Sequence, residues 1–319
     1  MAYDVVALGE LLIDFTPGGL SPSGNPLFER NAGGAPVNVL AALSRLGKRT
    51  AFIGKVGNDP FGHYLQDTLR VEGIDDSGLL FTDRAHTTMA FVHLDAQGER
   101  SFHFCRQPGA DEELKYSEIE TFLLDRTEIF HFGSISMSSE SSHEATLKAA
   151  LMAISKGAVI TYDPNWRPAL WRDEEHARLT MEEGMKLANV IKLSEEELVF
   201  LSQKNSLEAG VKVLMERFPA KLMLVTRGEE GTYYSTRTLS GNVPSYPVKP
   251  VDTTGAGDGF MGAFIYQLLE AGKPAVEWTK EELETALSFA NAAGALATTR
   301  KGAIASLATL EEILLLTGK

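Results

Sequence analysis

The sequence predicts an α/β protein whose mostly parallel central sheet carries helices on both faces, with a small β lid added to it. Three observations carry that prediction. Between residues 128 and 226, short β-branched runs alternate with helical periods. A glycine-rich turn opens an amphipathic helix twice, once after Asn31 and once after Val251. Residues 87–105 alternate apolar and polar side chains around a turn, as a hairpin standing outside the main sheet does. No internal repeat, low-complexity linker or break in composition divides the chain. Residues 1–319 are therefore expected to form one domain, with lid strands inserted at about 10–33 and 85–108.

Residues 3–8, Tyr-Asp-Val-Val-Ala-Leu, make the first strand, which ends at Gly9-Glu10 and is soon followed by Asp14. A carboxylate just past a buried strand lies at the sheet edge where open α/β sheets bind ligands, although a solvated loop Asp is the plainer account. Thr16 to Asn31 is rich in Pro, Gly and Ser and leads into Asn31-Ala-Gly-Gly-Ala-Pro-Val-Asn38. Helical spacing then begins with Val39, Ala42, Leu43 and Leu46 and stops at Gly47, a fitting residue to end a helix. Gly33 and Gly34 permit close approach of backbone to a ligand, and Asn38 offers both donor and acceptor, which suits a hydroxyl-rich sugar. An ordinary turn with an inward-facing Asn would use the same residues. Gly57–His63 grazes the spacing of a phosphate loop, but His63 stands where that motif needs Lys, so it is rejected.

The hairpin runs Met89-Ala-Phe-Val-His-Leu94, a turn at Asp95-Ala-Gln-Gly98, and Arg100-Ser-Phe-His-Phe-Cys105. With residues near 10–33 it is expected to form a lid that keeps water away from a reacting group. Strands are then expected at 129–132, 159–162, 190–193 and 222–226, and helices over 147–154, 177–187, 198–201 and 211–218. Three of the strand ends carry polar clusters that should share one sheet edge: Asp163-Pro-Asn-Trp-Arg167, Lys192-Leu-Ser-Glu-Glu-Glu197 and Thr226-Arg-Gly-Glu-Glu-Gly231. In the second, Ser194 as N-cap with Glu197 three residues on makes a capping box, and Lys192 is the nearest candidate cation for a nucleotide phosphate.

The stretch Val251-Asp-Thr-Thr-Gly-Ala-Gly-Asp-Gly-Phe260 is followed by helical spacing at Met261, Phe264, Ile265, Leu268 and Leu269, up to Gly272. The first amides of a helix lack internal partners and the macrodipole adds positive potential, so an anion is favoured there, and Gly255 and Gly257 leave room for it. Asp258 beside that anion is electrostatically costly, which points to a task. A general base fits: Asp258 takes a proton from a substrate hydroxyl while the amides of Gly255, Ala256, Gly257 and Asp258 stabilise charge on a phosphoryl group. For a bare glycine turn, a capped helix with a tight entry is the plain account. Residues 282–298 are Ala-rich and amphipathic, and Ala290, Asn291 and Gly294 leave space for an adenine to lie flat or for helices to pack closely.

A chain of 319 residues with 44% hydrophobic content buries a large core. A net charge of −13 excludes a phosphate-tracking nucleic-acid surface, so an anionic nucleotide has to be held by local dipoles, a few cations and a metal. The single cysteine, Cys105, excludes an intrachain disulfide and a Cys-based zinc site and fits a reducing cytosol. The N-terminus carries no basic leader and no stretch reaches membrane-spanning length, so a soluble cytoplasmic protein without a membrane partner is expected. The seven histidines are scattered, with no His-Glu-x-x-His helix.

Asp-Thr-Thr-Gly-Ala-Gly-Asp258 resembles the C-terminal signature of the ribokinase-like sugar kinases, the PfkB carbohydrate kinase family. Gly33-Gly34-x-x-x-Asn38, Leu43-x-x-Leu46-Gly47 and Gly54-Lys55-Val56-Gly57-x-Asp59-x-x-Gly62 resemble its N-terminal signature, and the resemblance extends from Gly9 to Ser306. It implies a ribokinase-like fold whose β lid often serves as a homodimer surface. It also implies that Asp258 is the catalytic base, the glycine run the anion hole, and Asp14 a partner of sugar hydroxyls. In the fructokinase and ketodeoxygluconate kinase branches an aromatic-x-Arg pair, here Phe104 and Arg106, touches the substrate; an exposed Arg is the competing account. The family's Asp-Pro-Asn-x-Arg lines the site, which makes Arg167 a donor to sugar or phosphate. By the same resemblance Glu197 organises Mg²⁺ through water, with Ser194 standing where the family usually shows Asn. Thr226, Gly228 and Gly231 match its nucleotide segment, and Asp252, Thr254, Gly302 and Ser306 match a monovalent cation site that would take K⁺.

Gly33-Gly34-Ala-Pro-x-Asn, Asp-Pro-Asn-x-Arg-Pro-x-Leu-Trp171 and Lys192-x-Ser-Glu-Glu-Glu together look most like fructokinases. The expected reaction is transfer from ATP to the primary hydroxyl of D-fructose, giving fructose 6-phosphate and ADP. A 2-keto-3-deoxygluconate kinase shares these motifs. A non-catalytic sugar- or nucleotide-binding regulator is the alternative of another class, and the intact Gly-Ala-Gly-Asp string counts against it. A dehydrogenase is disfavoured, because the glycine turn lies far from the first βα unit and no strand-end acid follows at the distance a ribose requires.

Overall fold

The computed structural model describes residues 3–94 and 100–318. Thirteen strands are numbered in chain order: β1 Tyr3–Leu8, β2 Leu12–Leu20, β3 Pro26–Gly33, β4 Thr50–Gly57, β5 Asp75–Thr82, β6 Met89–Leu94 and β7 Arg100–Cys105, then β8 Thr127–Phe132, β9 Val159–Tyr162, β10 Val190–Ser194, β11 Leu222–Thr226, β12 Thr232–Ser235 and β13 Ser240–Val243. Nine of them form one sheet in the order β13-β12-β11-β10-β9-β8-β1-β4-β5, parallel from β11 to β5, with β12 and β13 added antiparallel at one edge. The other four form a second sheet in the order β3-β2-β6-β7.

The parallel strands are apolar on both faces because helices cover both faces. Alternation along β1 assigns its side chains: Val5 and Ala7 pack with Val37, Leu40 and Leu43 of the helix Ala35–Arg45, while Val6 and Leu8 pack on the other side with Ala145 and Ala149 of the helix Glu140–Ser155. The chain leaves β1 for β4 and β5 on one side, then returns to β8 and proceeds through β9, β10 and β11 on the other. That reversal opens a crevice beyond the carboxyl ends of the strands, where open α/β sheets place their ligands.

The strands expected at 3–8, 159–162, 190–193 and 222–226 are present within a residue, and the one expected at 129–132 begins two residues earlier, at Thr127. Helices begin earlier than apolar spacing alone indicates. The first runs Ala35–Arg45 with Pro36 in its opening turn, and another runs Lys280–Ala297 behind a Thr279/Glu282 capping box. Pro, Gly and Ser do not keep Thr16–Asn31 out of strand: β2 and β3 pair through it, and only a tight turn at residues 21–25 separates them. Pro17 is accommodated because, among the described residues, β6 pairs with β2 over Ile13–Phe15 and not at Pro17. Phe15 stacks on Phe91 at 4.9 Å, and Phe28 meets Phe91 edge-on, which gives the second sheet its own apolar seam. The turn expected at Asp95–Gly98 lies outside the described residues. Among the described residues, no helix is long and apolar enough to cross a membrane.

Candidate active site

Two helices converge on the crevice. Ala35–Arg45 and Ala256–Ala271 pack so closely that a Cβ on Gly262 would sit 2.6 Å from the Ala42 methyl carbon. This contact brings together side chains from opposite ends of the chain. Asn38 Nδ2 donates to Asp258 Oδ2 at 2.7 Å, and both side chains are buried. Burial raises the Asp258 pKa above the ordinary carboxylate value; Asn38, Lys192 and Arg167 work against the rise, and Glu197 adds to it. A carboxylate held this way is a stronger base than an exposed one and keeps an acceptor pointed at whatever enters beside it.

Asp14 lies within β2, in the second sheet, beyond the end of β1 where the sequence placed it. Its carboxylate rests over Gly33, where a Cβ would fall 2.1 Å from Oδ2. Burial raises its pKa to about 6, with Arg167 opposing and Asp258 adding. Asp14, Arg167 and Asp258 therefore share one electrostatic neighbourhood. Gly34, at φ 123°, passes so near the strand end that a Cβ would lie 2.4 Å from the Glu10 carbonyl oxygen.

At the other end of this contact region, Gly255 is the N-cap of Ala256–Ala271 at φ 77°, and among the described residues no side chain caps this helix. A Cβ on Gly257 would come 2.8 Å from Lys192 Nζ, so the ammonium lies directly against the first turn. Lys192 donates to Asp163 Oδ2 at 2.8 Å with both side chains buried. Burial disfavours the ammonium, but Asp163, Glu197 and Asp258 outweigh it and raise the Lys192 pKa. Glu197 makes the expected capping box: Oε2 accepts from Ser194 N at 2.7 Å and Ser194 Oγ from Glu197 N at 3.1 Å. Its other oxygen accepts from Trp166 N at 2.8 Å, tying the Asp163–Arg167 loop to this helix.

A cavity of about 710 Å³ extends from the first turn of Ala256–Ala271, between Thr226, Gly228, Gly231, Asn291 and Gly294. A ligand there meets small residues and backbone, the lining a flat heteroaromatic and its ribose need. Gly231, at φ 91°, is held to the backbone after β13, where a Cβ would fall 2.0 Å from Val243 O. Asn291 is fully engaged: Nδ2 donates to Val243 O and Pro244 O, and Oδ1 accepts from Thr232 at 2.7 Å. It thus anchors the segment 244–250, whose Tyr246 and Pro247 form the outer wall.

The remaining predicted residues fall in two places. Arg106 is buried, which removes the account of an exposed Arg. Asp111 accepts from its Nε at 2.9 Å, Ser138 Oγ from Nη1 at 2.7 Å and the Ile135 carbonyl from Nη2 at 3.2 Å, so the guanidinium braces the end of β7. Phe104, two residues before, is half-buried. Asp252 joins two loops, accepting from Thr254 N at 2.8 Å and Gly302 N at 3.1 Å, while the Ser306 hydroxyl donates to Ala303 O at 2.8 Å.

Three features escape sequence reasoning. Glu10 is buried, with Oε1 accepting from Ala35 N at 2.9 Å, and burial raises its pKa to about 7. Asp163 is the hidden partner of Lys192 and keeps a buried Oδ1 without a partner among the described residues. Segment 244–250 has no periodicity to announce it. The only signal for the first two is a charged residue at the end of a buried strand.

Among the described residues, no cluster of three or more His, Cys, Asp or Glu side chains is arranged to hold a metal ion by itself. The donor chemistry nevertheless suits a cation that brings its own phosphate and water ligands. Asp14, Asp163, Glu197 and Asp258 outnumber Lys192 and Arg167, and Asp163 Oδ1 is an unsatisfied acceptor among them.

Comparison with known proteins places this geometry. The model of the pfkB family carbohydrate kinases matches residues 2–310. Fructokinase-1 of Oryza sativa subsp. japonica is 45% identical over 312 residues, covering 97% of this chain and 96% of that protein. Among solved structures, fructokinase from Xylella fastidiosa with bound ATP superposes with a TM-score of 0.92 at 35% identity, covering 99% of this chain and 98% of the other. Fructokinase from Vibrio cholerae O395, in its fructose, ADP and calcium ion bound form, superposes with a TM-score of 0.87 at 35% identity, covering 98% and 99%.

Proposed function

The chain belongs to the pfkB family of carbohydrate kinases, and from that premise we propose that it phosphorylates the primary hydroxyl of D-fructose with ATP, giving fructose 6-phosphate and ADP. The observation that carries the site assignment is the Asn38–Asp258 hydrogen bond, which sets a buried carboxylate of raised pKa beside a helix start left open for an anion.

The sugar occupies the space between Asp14, Gly33, Gly34, Asn38 and Arg167, with Phe104 and the braced Arg106 at the lid side. Its hydroxyl gives a proton to Asp258, and its oxygen bonds to the γ-phosphorus as the bond to the ADP oxygen breaks. Amides of Gly255, Ala256, Gly257 and Asp258 receive the charge on the transferred group, with Lys192 adding a full positive charge beneath them. Thr226, Gly228, Gly231 and Asn291 border the nucleotide. Glu197 would hold Mg²⁺ through water, and that ion, carried with the nucleotide, would supply charge neutralisation at the phosphates. Asp252, Thr254, Gly302 and Ser306 would hold a monovalent cation such as K⁺, which would supply positive charge near the Gly255 turn. The lid keeps water out, and its exposed Leu20, Leu27 and Phe28 support pairing with a second copy.

A panel of fructose, 2-keto-3-deoxygluconate, ribose and glucose in a coupled ADP-release assay tests this. Fructose is expected to give the highest kcat/KM. A higher value with 2-keto-3-deoxygluconate replaces the substrate, and no ADP release with any sugar replaces the enzyme with a regulator.

A further inference from the structure

The helix Ala35–Arg45 is the arm that holds Asn38, and it starts at a disadvantage. Its N-cap, Gly34, has no side chain, and no acidic residue lies in its first turn. A helix start normally relies on a Ser, Thr, Asp or Asn at that position to satisfy an amide, and the loss of such a cap is felt through the first turn. Here no larger residue fits, because a Cβ on Gly34 would collide with the Glu10 carbonyl oxygen. The same residue supplies the remedy. Glu10 Oε1 accepts from Ala35 N, the first amide of the helix, at 2.9 Å, and the carboxylate is 2% exposed. Its surroundings tie it to the lid, since charged groups that act on it are Arg106, just past β7, and Asp111, which pairs with that guanidinium.

We propose that Glu10 is a positioning residue for the sugar side of the site: from the end of β1 its carboxylate replaces the missing cap of Ala35–Arg45 and so holds Asn38 against Asp258. The proposal rests on the assignment of Asn38 and Asp258 made above. Glu10 touches neither reacting atom. It fixes where the first turn begins, and Asn38, one turn on, inherits that placement.

The experiment is a double-mutant cycle. Glu10→Met keeps the volume and removes the acceptor, whereas Glu10→Gln keeps an oxygen for the Ala35 amide. Glu10→Met is expected to raise the sugar KM about fivefold to tenfold with the ATP KM unchanged, and Glu10→Gln to restore most of that loss. In an Asn38→Ala background, adding Glu10→Met should change the sugar KM by less than about twofold, because the two act as one unit. Fully additive effects, or equal rises in both KM values, overturn the proposal and leave the site assignment standing. An Asn38→Ala variant with unchanged sugar KM and kcat removes the site assignment and this proposal together. Should Glu10→Met not fold, hydrogen exchange at the Ala35 amide of the unaltered protein decides: slow exchange is expected, and exchange as fast as at a frayed helix end overturns the cap.

Discussion

The helices Ala35–Arg45 and Ala256–Ala271 both start at a glycine with positive φ, Gly34 at 123° and Gly255 at 77°, and neither glycine supplies a side-chain cap. They differ in what stands before the first turn. At Ala35 a buried carboxylate from Glu10 fills the position, so that end is closed by the protein itself. At Ala256 no side-chain cap is present among the described residues, and a lysine ammonium lies against Gly257, so positive potential is concentrated where an anion can reach it. The same opening geometry serves placement when an acid closes it and charge reception when a base stands beside it. In the proposed reaction the closed helix presents Asn38 and the open one presents Asp258.

The most direct way to break that contrast is Asp258→Asn. Turnover is expected to fall roughly a thousandfold with the melting temperature little changed, measured by ADP release and thermal unfolding. Near-normal kcat would leave the open helix without a chemical role. Next in size is Lys192→Met, which strands the buried Asp163 carboxylate and should cost on the order of 3 kcal/mol in a urea titration. Adding Asp163→Asn should recover much of that loss while the ATP KM stays elevated. If the second substitution restores ATP affinity too, the ammonium acts only through stability.

Gly33→Ala sharpens the sugar side alone. The added methyl would fall 2.1 Å from Asp14 Oδ2, so the sugar KM should rise roughly tenfold to a hundredfold with ATP affinity retained. The smallest effect concerns pH. Burial raises the Asp14 pKa from 3.8 to about 6, so between those values the folded protein keeps a proton that the unfolded chain has released. Native stability therefore falls as pH rises through that window. Asp14→Asn should be more stable than the unaltered protein above pH 6, by about 1–2 kcal/mol or a few degrees in Tm, with the gain shrinking toward pH 4. A constant difference across pH would mean that Asp14 is not held in the environment described.

Much of this architecture was legible because its signals are local. A glycine turn, a run of β-branched residues and a capping box each declare themselves within a few positions, and Ser194 with Glu197 formed the box that their spacing predicts. Pairings between distant segments left no such mark. The sequence puts Lys192 and Asp163, just past the end of β9, at one sheet edge but does not mark them as an ion pair, and Glu10 sits among Gly9, Leu11 and Leu12 like any acid at a strand end. Arg106 could be placed beside the lid from its motif, yet its burial depends on Asp111 and Ser138, which no periodicity connects to it. Asp14, expected just past the first strand at the sheet edge, lies within β2 of the second sheet, because the Pro- and Gly-rich segment that follows it pairs with β3.

The contact between Gly262 and Ala42 carries an implication for redesign. Because the two helices meet there with no room for a side chain between them, added bulk would shift Asn38 and Asp258 together, and under the proposed reaction catalysis would suffer whichever alcohol is offered. Under the same proposal, a change of preferred sugar is better sought in the second sheet, around Asp14 and Phe104, away from that contact.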